Sequence, residues 1–308
     1  MKFSILIPAY KNNFLEECIE SILSQTYTDF ELIIVDDASP YDIVSVVSKF
    51  NDSRIRYYRN ETNCGAINVV DNWNICLKYA VGEYVICMGD DDKLLPNCLE
   101  EYEKLIFSYP KLNIYHAWTD IIDENSNIMH STPSRGSIES VYFLIWHRWF
   151  YRKEQFIGDF LFKTSFLKQI GGFYKLPLAW FSDDITAAMA AEKGGIANTQ
   201  IVTFQYRMNS CTISSTGNST QKMNATILSK KWYKNFLQKE TNDPSDEKIR
   251  KQLLNSIDNF FNQKYKENIL FDLKSNGIFR IFYWIIFSIK NDIPSVCIIQ
   301  ALLKYLKL

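Results

Sequence analysis

The sequence predicts an α/β fold: a mostly parallel sheet with helices on both faces, followed by a C-terminal helical segment. Two observations carry this. The first 120 residues alternate short apolar runs with stretches of helical spacing, as repeated β-α-β units do. Three polar clusters punctuate the array where strand-like runs end, at Ala9-Tyr10-Lys11-Asn12, Asp36-Asp37-Ala38-Ser39 and Asp90-Asp91-Asp92. Open α/β sheets bind ligands at such carboxyl ends.

Taken in order, Phe3–Ala9 is a continuous apolar run closed by Pro8, the pattern of a strand buried on both faces. Leu15, Cys18, Ile19, Ile22 and Leu23 then follow at helical spacing. Asn12 or Asn13 can cap that helix, with Glu16 three residues after Asn13. Phe30–Val35 reads as a strand ending in Asp36-Asp37, Tyr41–Phe50 as a helix and Ile55–Arg59 as a short strand. Ala66–Ala80 reads as a helix, and Glu83–Met88 as a strand running into Gly89 and the three aspartates. Pro96–Ser108 is a helix with proline near its start, and Leu112–Trp118 another strand. The stretch 121–222 is irregular, and 14 of the 40 residues in 142–181 are aromatic. Within it Gly171-Gly172-Phe173 is a turn, Ser182–Glu192 a helix and Ile201–Arg207 a strand. Residues 239–246, with Asn242, Asp243 and Pro244, read as a linker to a helical, basic end.

Composition bounds the function. With 308 residues, 47% hydrophobic and 22% charged, the chain is neither disordered nor collagen-like. Its net charge of −1 makes no case for nucleic-acid binding. That balance is a cancellation: residues 1–224 carry 20 Lys+Arg and 27 Asp+Glu, and residues 225–308 carry 14 and 8. Seven cysteines, an odd number with no C-x-x-C, argue for reduced thiols rather than a disulfide framework or zinc site. The apolar run at the N-terminus is too short for a signal peptide, so a cytoplasmic location is expected. No window reaches about 18 uninterrupted apolar residues. The nearest, Ile278–Ile289, is broken by Arg280 and reads either as a buried helix or as a segment lying in a membrane interface.

The clusters suggest chemistry. Three adjacent carboxylates at Asp90, Asp91 and Asp92 repel one another unless a cation compensates, and a divalent metal with open positions for phosphate oxygens would do so. A solvated acidic turn ahead of Pro96 is the plainer alternative. Asp36-Asp37 can accept from a base or ribose hydroxyl, or cap the next helix. Tyr10 can stack on a base, or simply pack. Asp183-Asp184 can supply a general base, or serve as an acidic helix start favoured by the helix dipole. His116, His130 and His147 have no metal-ligand spacing.

Together these segments carry a resemblance. Ile5-Leu6-Ile7-Pro8-Ala9-Tyr10-Lys11-Asn12, Ser21–Tyr27 and Phe30–Ser39 resemble the opening of family 2 glycosyltransferases. Asn63-Cys64-Gly65, Asn72-Trp73-Asn74 and Gly82–Val85 also fit. Gly89-Asp90-Asp91-Asp92 resembles the family's DXD element, and Gly171-Gly172-Phe173 with Asp183-Asp184 its GGF…ED element. The similarity is ordered over 1–120, weaker to about 215 and absent beyond.

The resemblance implies a GT-A fold, a nucleotide-diphosphate sugar donor, a UDP-sugar first, and transfer with inversion. It implies that Pro8, Ala9 and Tyr10 line the base pocket, that Asp37 binds the base, that Asn63 belongs to the donor site and that Asp90 binds the ribose. Asp91 and Asp92 would hold Mn²⁺ or Mg²⁺ against the pyrophosphate. Asp184 would be the base, with Asp183 in reserve. The implied division is a GT-A domain at 1–222, with a donor half at 1–120 and an acceptor half at 121–222, and a helical region at 223–308. The expected acceptor is a glycan or a lipid-linked sugar in cell-surface polysaccharide biosynthesis. The basic end, 278–308, would suit peripheral contact with the inner face of the plasma membrane.

Departures are visible. Trp73 stands near a place where the family often carries Arg, and Asp183 replaces the Glu of ED. Tyr206-Arg207-Met208-Asn209-Ser210 has no His, which leaves Arg207 as a candidate phosphate contact. The Q-x-x-R-W element of processive synthases is absent, which favours single-sugar transfer. Two rivals remain: a sugar-phosphate nucleotidyltransferase, whose Gly-rich loop is missing after the first strand, and a non-catalytic GT-A-fold binding protein.

Overall fold

A computed structural model describes residues 1–151, 153–209 and 218–307. Ser210 and Cys211 lie outside them, and the other six cysteines are free thiols. The core is one mixed sheet with strand order β3-β2-β1-β4-β9-β6-β10-β5. The strands are β1 (Phe3–Ala9), β2 (Phe30–Asp36), β3 (Ile55–Arg59), β4 (Tyr84–Cys87), β5 (Lys93–Leu94), β6 (Ile114–Ile122), β7 (Ile128–Ser131), β8 (Ile138–Glu139), β9 (Phe160–Lys163) and β10 (Ile196–Arg207).

The parallel expectation holds for the first half: β1 pairs in parallel with β2 and β4, and β2 with β3. Beyond β4 the sheet changes character. β9 inserts antiparallel to both β4 and β6. Its Phe160, Leu161 and Phe162 are fully buried, so four residues suffice to continue the core. β10 returns parallel to β6.

Helices α1 (Leu15–Leu23), α2 (Ile43–Val47) and α4 (Cys98–Ser108) cover one face of the sheet. On the other lie α3 (Val69–Tyr79), α5 (Val141–Phe150), α6 (Thr164–Gln169) and α7 (Ser182–Ala191). Two helices are shorter than the sequence suggests. Asp42 accepts from Ser45 N–H and starts α2 late. Ala66–Asn68 is a 3₁₀ turn after Gly65, whose φ is 78°, so α3 begins only at Val69. The aromatic stretch, expected to be irregular, contains α5, begun by the Ser140 side chain accepting from Phe143 N–H.

The C-terminal helices are α8 (Ser219–Leu237), α9 (Pro244–Asn276), α10 (Arg280–Lys290) and α11 (Ser295–Leu306). Asp243 caps α9 with Pro244 in its first turn, so the linker is shorter than 239–246. These helices share one apolar cluster with the sheet: Leu6 and Val35 belong to it, and so do Leu253, Phe261, Trp284 and Ile298. Trp149 of α5 stacks on Phe260 of α9 at 4.6 Å. The segment 278–289 is two-sided: Trp284 and Ser288 are buried, whereas Phe279, Phe282, Ile286 and Ile289 are exposed.

One glycine holds two parts of the fold in register. Gly172 has φ of 102°, and a Cβ there would collide with the Asn74 amide. That amide accepts from Phe173 N–H at 2.8 Å and donates to Phe173 O at 3.2 Å, tying α3 to the segment before α7. Gly172→Ala should therefore destabilise the protein by about 3 kcal/mol through backbone strain and lost hydrogen bonds. Urea melts check this, and an unchanged midpoint would contradict it.

Candidate active site

A cleft of about 910 Å³ opens at the carboxyl ends of β1, β2 and β4. Pro8, Tyr10, Asp37, Asn63 and all three of Asp90, Asp91 and Asp92 line it, and so do Asp183 and Asp184. Ala9 does not. It is fully buried at the end of β1, where its carbonyl accepts from Asp37 N–H at 2.9 Å. It shapes the wall from behind, and its place at a strand end could not reveal that.

The loops at this rim are cross-tied. Tyr10 and Lys11 N–H donate to Asp90 Oδ2 at 2.8 and 2.7 Å, fastening the β1 loop to the β4 loop. Asp36 is fully buried and accepts from Tyr57, Arg59 and Ser39 N–H. Its neighbour Asp37 accepts from Asn60 and Cys64 N–H at 2.8 and 2.9 Å, while Asn63 donates to Asp37 O at 2.8 Å. Asn60 has no counterpart in the sequence reading. The Tyr10 ring is 40% exposed and meets Tyr41 edge-on at 6.2 Å, which leaves a face for a planar group.

The acidic triad is electrostatically strained. Burial, and then the charge of Asp91, push Asp90 up to about 6. Burial also raises Asp91, and burial with the Asp91 charge raises Asp92 well above the usual carboxylate range. Asp92 accepts from the N–H groups of Arg207 at 3.0 Å and Gly89 at 3.3 Å. Asp91 accepts from Asn209 at 2.6 Å. Among the described residues no three ligating side chains converge as a closed metal cage. Mg²⁺-type sites need none, since they use one or two carboxylates together with substrate phosphates. Asp91 and Asp92, hard oxygen donors crowded at the cleft, fit that open arrangement.

Arg207 is not a phosphate contact. It is fully buried, lies 4.3 Å from the Phe14 ring and donates to Asp91 O, Glu17 and Ser126 at 2.8, 3.0 and 3.1 Å. It clamps the acidic loop instead. The histidines are scattered: His116 is buried near Phe160, His130 pairs with Glu154, and His147 with Glu139.

Across the cleft, Leu178, Ala179 and Phe181 have φ of 61°, 55° and 68°. Such backbone costs about 1–3 kcal/mol per residue and concentrates at functional sites. Here it turns the chain into α7 with Trp180 and Phe181 on the cleft wall. Asp184 is buried, and its Oδ1 accepts from Arg148 Nε at 2.9 Å and Gln155 Nε2 at 2.6 Å. Asp183 accepts from Asp184 N–H at 2.9 Å. Burial, and then the Asp184 charge, raise Asp183 to about 8.

The neighbours therefore differ in setting: Asp184 faces the Arg148 guanidinium, whereas burial and the neighbouring carboxylate favour the protonated form of Asp183. Because folded Asp183 binds its proton more tightly than unfolded Asp does, it should cost stability as pH rises from about 4 to about 8. Melting curves across that range should show a smaller decline for Asp183→Asn than for the native chain. Parallel curves would contradict the assignment.

Sequence reasoning missed several cleft residues. Arg148, Trp149, Gln155 and Phe156 sit in the aromatic stretch, which at least marked the region. Phe260, Gln263, Lys264 and Glu267 of α9 also line the cleft, and nothing in a basic helical pattern distinguishes them from a solvated face.

A family model described as Glycosyl transferase family 2 matches residues 4–173. An Escherichia coli UDP-Glc:alpha-D-GlcNAc-diphosphoundecaprenol beta-1,3-glucosyltransferase, WfgD, is 32% identical over 124 residues, 40% of this chain and 47% of its own. A Campylobacter jejuni GalNAc(5)-diNAcBac-PP-undecaprenol beta-1,3-glucosyltransferase is 38% identical over 101 residues, 32% of each chain. The chain thus spans less than half the length of these curated relatives. In overall fold it resembles S. aureus TarS 1–349 in complex with UDP-GlcNAc, with TM-score 0.62 and 17% identity over 88% of this chain and 81% of that one. It also resembles the mannosyltransferase PcManGT from Pyrobaculum calidifontis in complex with GDP-Man and Mn²⁺, with TM-score 0.56 and 15% identity over 99% and 87% of the two chains.

Proposed function

The chain belongs to glycosyl transferase family 2 and has a GT-A fold, and from that premise we propose that it transfers one sugar, with inversion, from a UDP-sugar to a hydroxyl of a lipid-linked glycan acceptor. One observation carries this reading. The acidic triad, the exposed Tyr10 face and Asp37 line the same cleft as Asp183 and Asp184, so a nucleotide site and a base share one space. Support for the donor comes from the UDP-Glc enzyme of E. coli and the UDP-GlcNAc complex of TarS. Support for the acceptor comes from the diphosphoundecaprenol substrates in the names of both bacterial relatives. Such an acceptor belongs to surface polysaccharide assembly at the inner face of the plasma membrane.

In the proposed mechanism Tyr10 stacks on the base, Asp37 accepts its hydrogen bond with Asn63 and Asn60 holding that wall, and Asp90 faces the ribose. Asp91 and Asp92 would hold Mn²⁺ or Mg²⁺, which supplies positive charge to the departing diphosphate. Asp184, oriented by Arg148 and Gln155, takes the proton of the attacking acceptor hydroxyl. Attack on the face opposite the diphosphate inverts the anomeric carbon. Trp180, Phe181 and the α9 residues Phe260, Gln263 and Lys264 form the acceptor wall. Residues 1–120 thus supply the donor side, and 121–222 together with 223–308 the acceptor side.

Thermal shift with UDP-, GDP- and dTDP-sugars, each with Mn²⁺, tests the donor. A UDP-sugar should raise the melting temperature by mass action on the folded state. No shift with any donor would overturn the reading.

A further inference from the structure

The last two helices leave their outer faces uncovered. On α10, Phe282, Ile285, Ile286 and Ile289 recur at helical spacing and are exposed, with Phe279 just ahead at 82% exposure. On α11, Val296, Ile299, Leu303 and Leu306 form a second exposed stripe. Their inner faces, through Trp284, Cys297, Ile298 and Ala301, are buried in the shared core. Nine large apolar side chains facing outward within 28 residues exceed the scattered exposure of an ordinary soluble surface.

Charge identifies the occupant. Exposed Lys274, Lys290, Lys304 and Lys307 flank the stripes, and Asp292 is the only acidic residue after Asp272. Pairing this face with a second copy of itself would set lysine against lysine. A bilayer with anionic headgroups satisfies both features, taking the apolar stripes at the acyl boundary and the ammonium groups among the phosphates. At eleven residues α10 is about 16 Å long, too short to span the hydrocarbon. No helix among the described residues is long and apolar enough to cross a membrane.

We infer that the outer faces of α10 and α11 form a docking surface for an anionic lipid bilayer, on which the protein lies without spanning it. This goes beyond the transferase reading, because none of these side chains lines the cleft. The consequence for that reading is geometric. Helix α9 runs from Lys264 on the cleft wall to Lys274 beside the docking face, about 15 Å. A diphosphate-linked acceptor in the bilayer would thus meet the cleft at close range.

Flotation of the full chain with vesicles tests this without donor or acceptor. The native chain should float with phosphatidylglycerol–phosphatidylcholine vesicles and much less with phosphatidylcholine alone, the difference shrinking as salt is raised. Phe282→Asp with Ile286→Asp should cut recovery about tenfold. Lys290→Glu with Lys304→Glu should weaken it several-fold only for the anionic vesicles. Both pairs are exposed, so unchanged melting temperatures show that folding is intact. The proposal is overturned if the native chain stays equally in the soluble fraction with and without vesicles. It is also overturned if it sediments as a dimer that the Phe282/Ile286 variant breaks while neither binds vesicles. A failed donor screen with intact flotation would sink only the transferase reading.

Discussion

Asp184→Asn should lower kcat about a hundredfold to ten-thousandfold while leaving donor affinity unchanged. The substitution keeps size and the acceptor oxygen facing Gln155 and Arg148, and removes the carboxylate that receives the proton in the proposed mechanism. Its effect belongs in kcat rather than in ground-state binding. Arg148 would lose its counter-charge, but Asp183 offers a partial remedy. With Asp184 neutral, the lesser cause of the Asp183 shift disappears while its burial remains, so Asp183 moves only part of the way back toward the usual carboxylate range. Folding should survive, as a melting curve would show. Asp183→Asn leaves the Asp184–Arg148 pair intact and should cost less than about tenfold. The measurement is steady-state transfer together with donor titration for both variants. If Asp183→Asn were the crippling change, the base would be Asp183 and Asp184 merely its structural neighbour.

Removing divalent cation, or replacing Asp91 by Asn, should reduce transfer by about two orders of magnitude and weaken donor binding with it. Three neighbouring carboxylates are raised together, chiefly by burial, so their ionised forms are costly there unless a cation sits beside them. A donor diphosphate adds more negative charge. Asp91 is the cleaner variant, because its side chain accepts from the Asn209 amide rather than from the Gly89 and Arg207 backbone. Asp92 also holds the backbone of Gly89 and Arg207, so its loss would mix stability with binding. Isothermal titration of UDP-sugar with and without chelator reads the effect. Donor affinity indifferent to both chelator and Asp91→Asn would remove the metal from the site.

Much of the cleft rim was legible because its signals are local. An apolar run ending in polar residues marks both a strand and the rim where ligands bind, and Asp37 and Asp90–Asp92 fall there. Tertiary chemistry was not legible. Arg207 looks like a phosphate ligand in one dimension. In three it is buried against Phe14 and spends its donors on backbone and Glu17. Ala9 sits at a strand end like its neighbour Tyr10, but side chains alternate across a strand, so it turns into the core. The antiparallel turn of the sheet rests on β9, four residues hidden in an aromatic-rich stretch. The contribution of α9 was invisible because only packing against α5 brings Phe260 and Lys264 to the cleft. The amphipathic end showed its apolar content in sequence. Which residues face outward became clear only once Trp284 and Ile298 had been placed inside.

The anomeric configuration of the product tests single-displacement transfer most directly. The native chain is incubated with the UDP-sugar that stabilises it, Mn²⁺ and a diphosphate-lipid-linked sugar, and the new linkage is read by proton NMR. A product of inverted configuration, absent with Asp184→Asn, is the result expected of one base acting opposite one leaving diphosphate. A product that retains the donor's configuration, or transfer undiminished in Asp184→Asn, would contradict it.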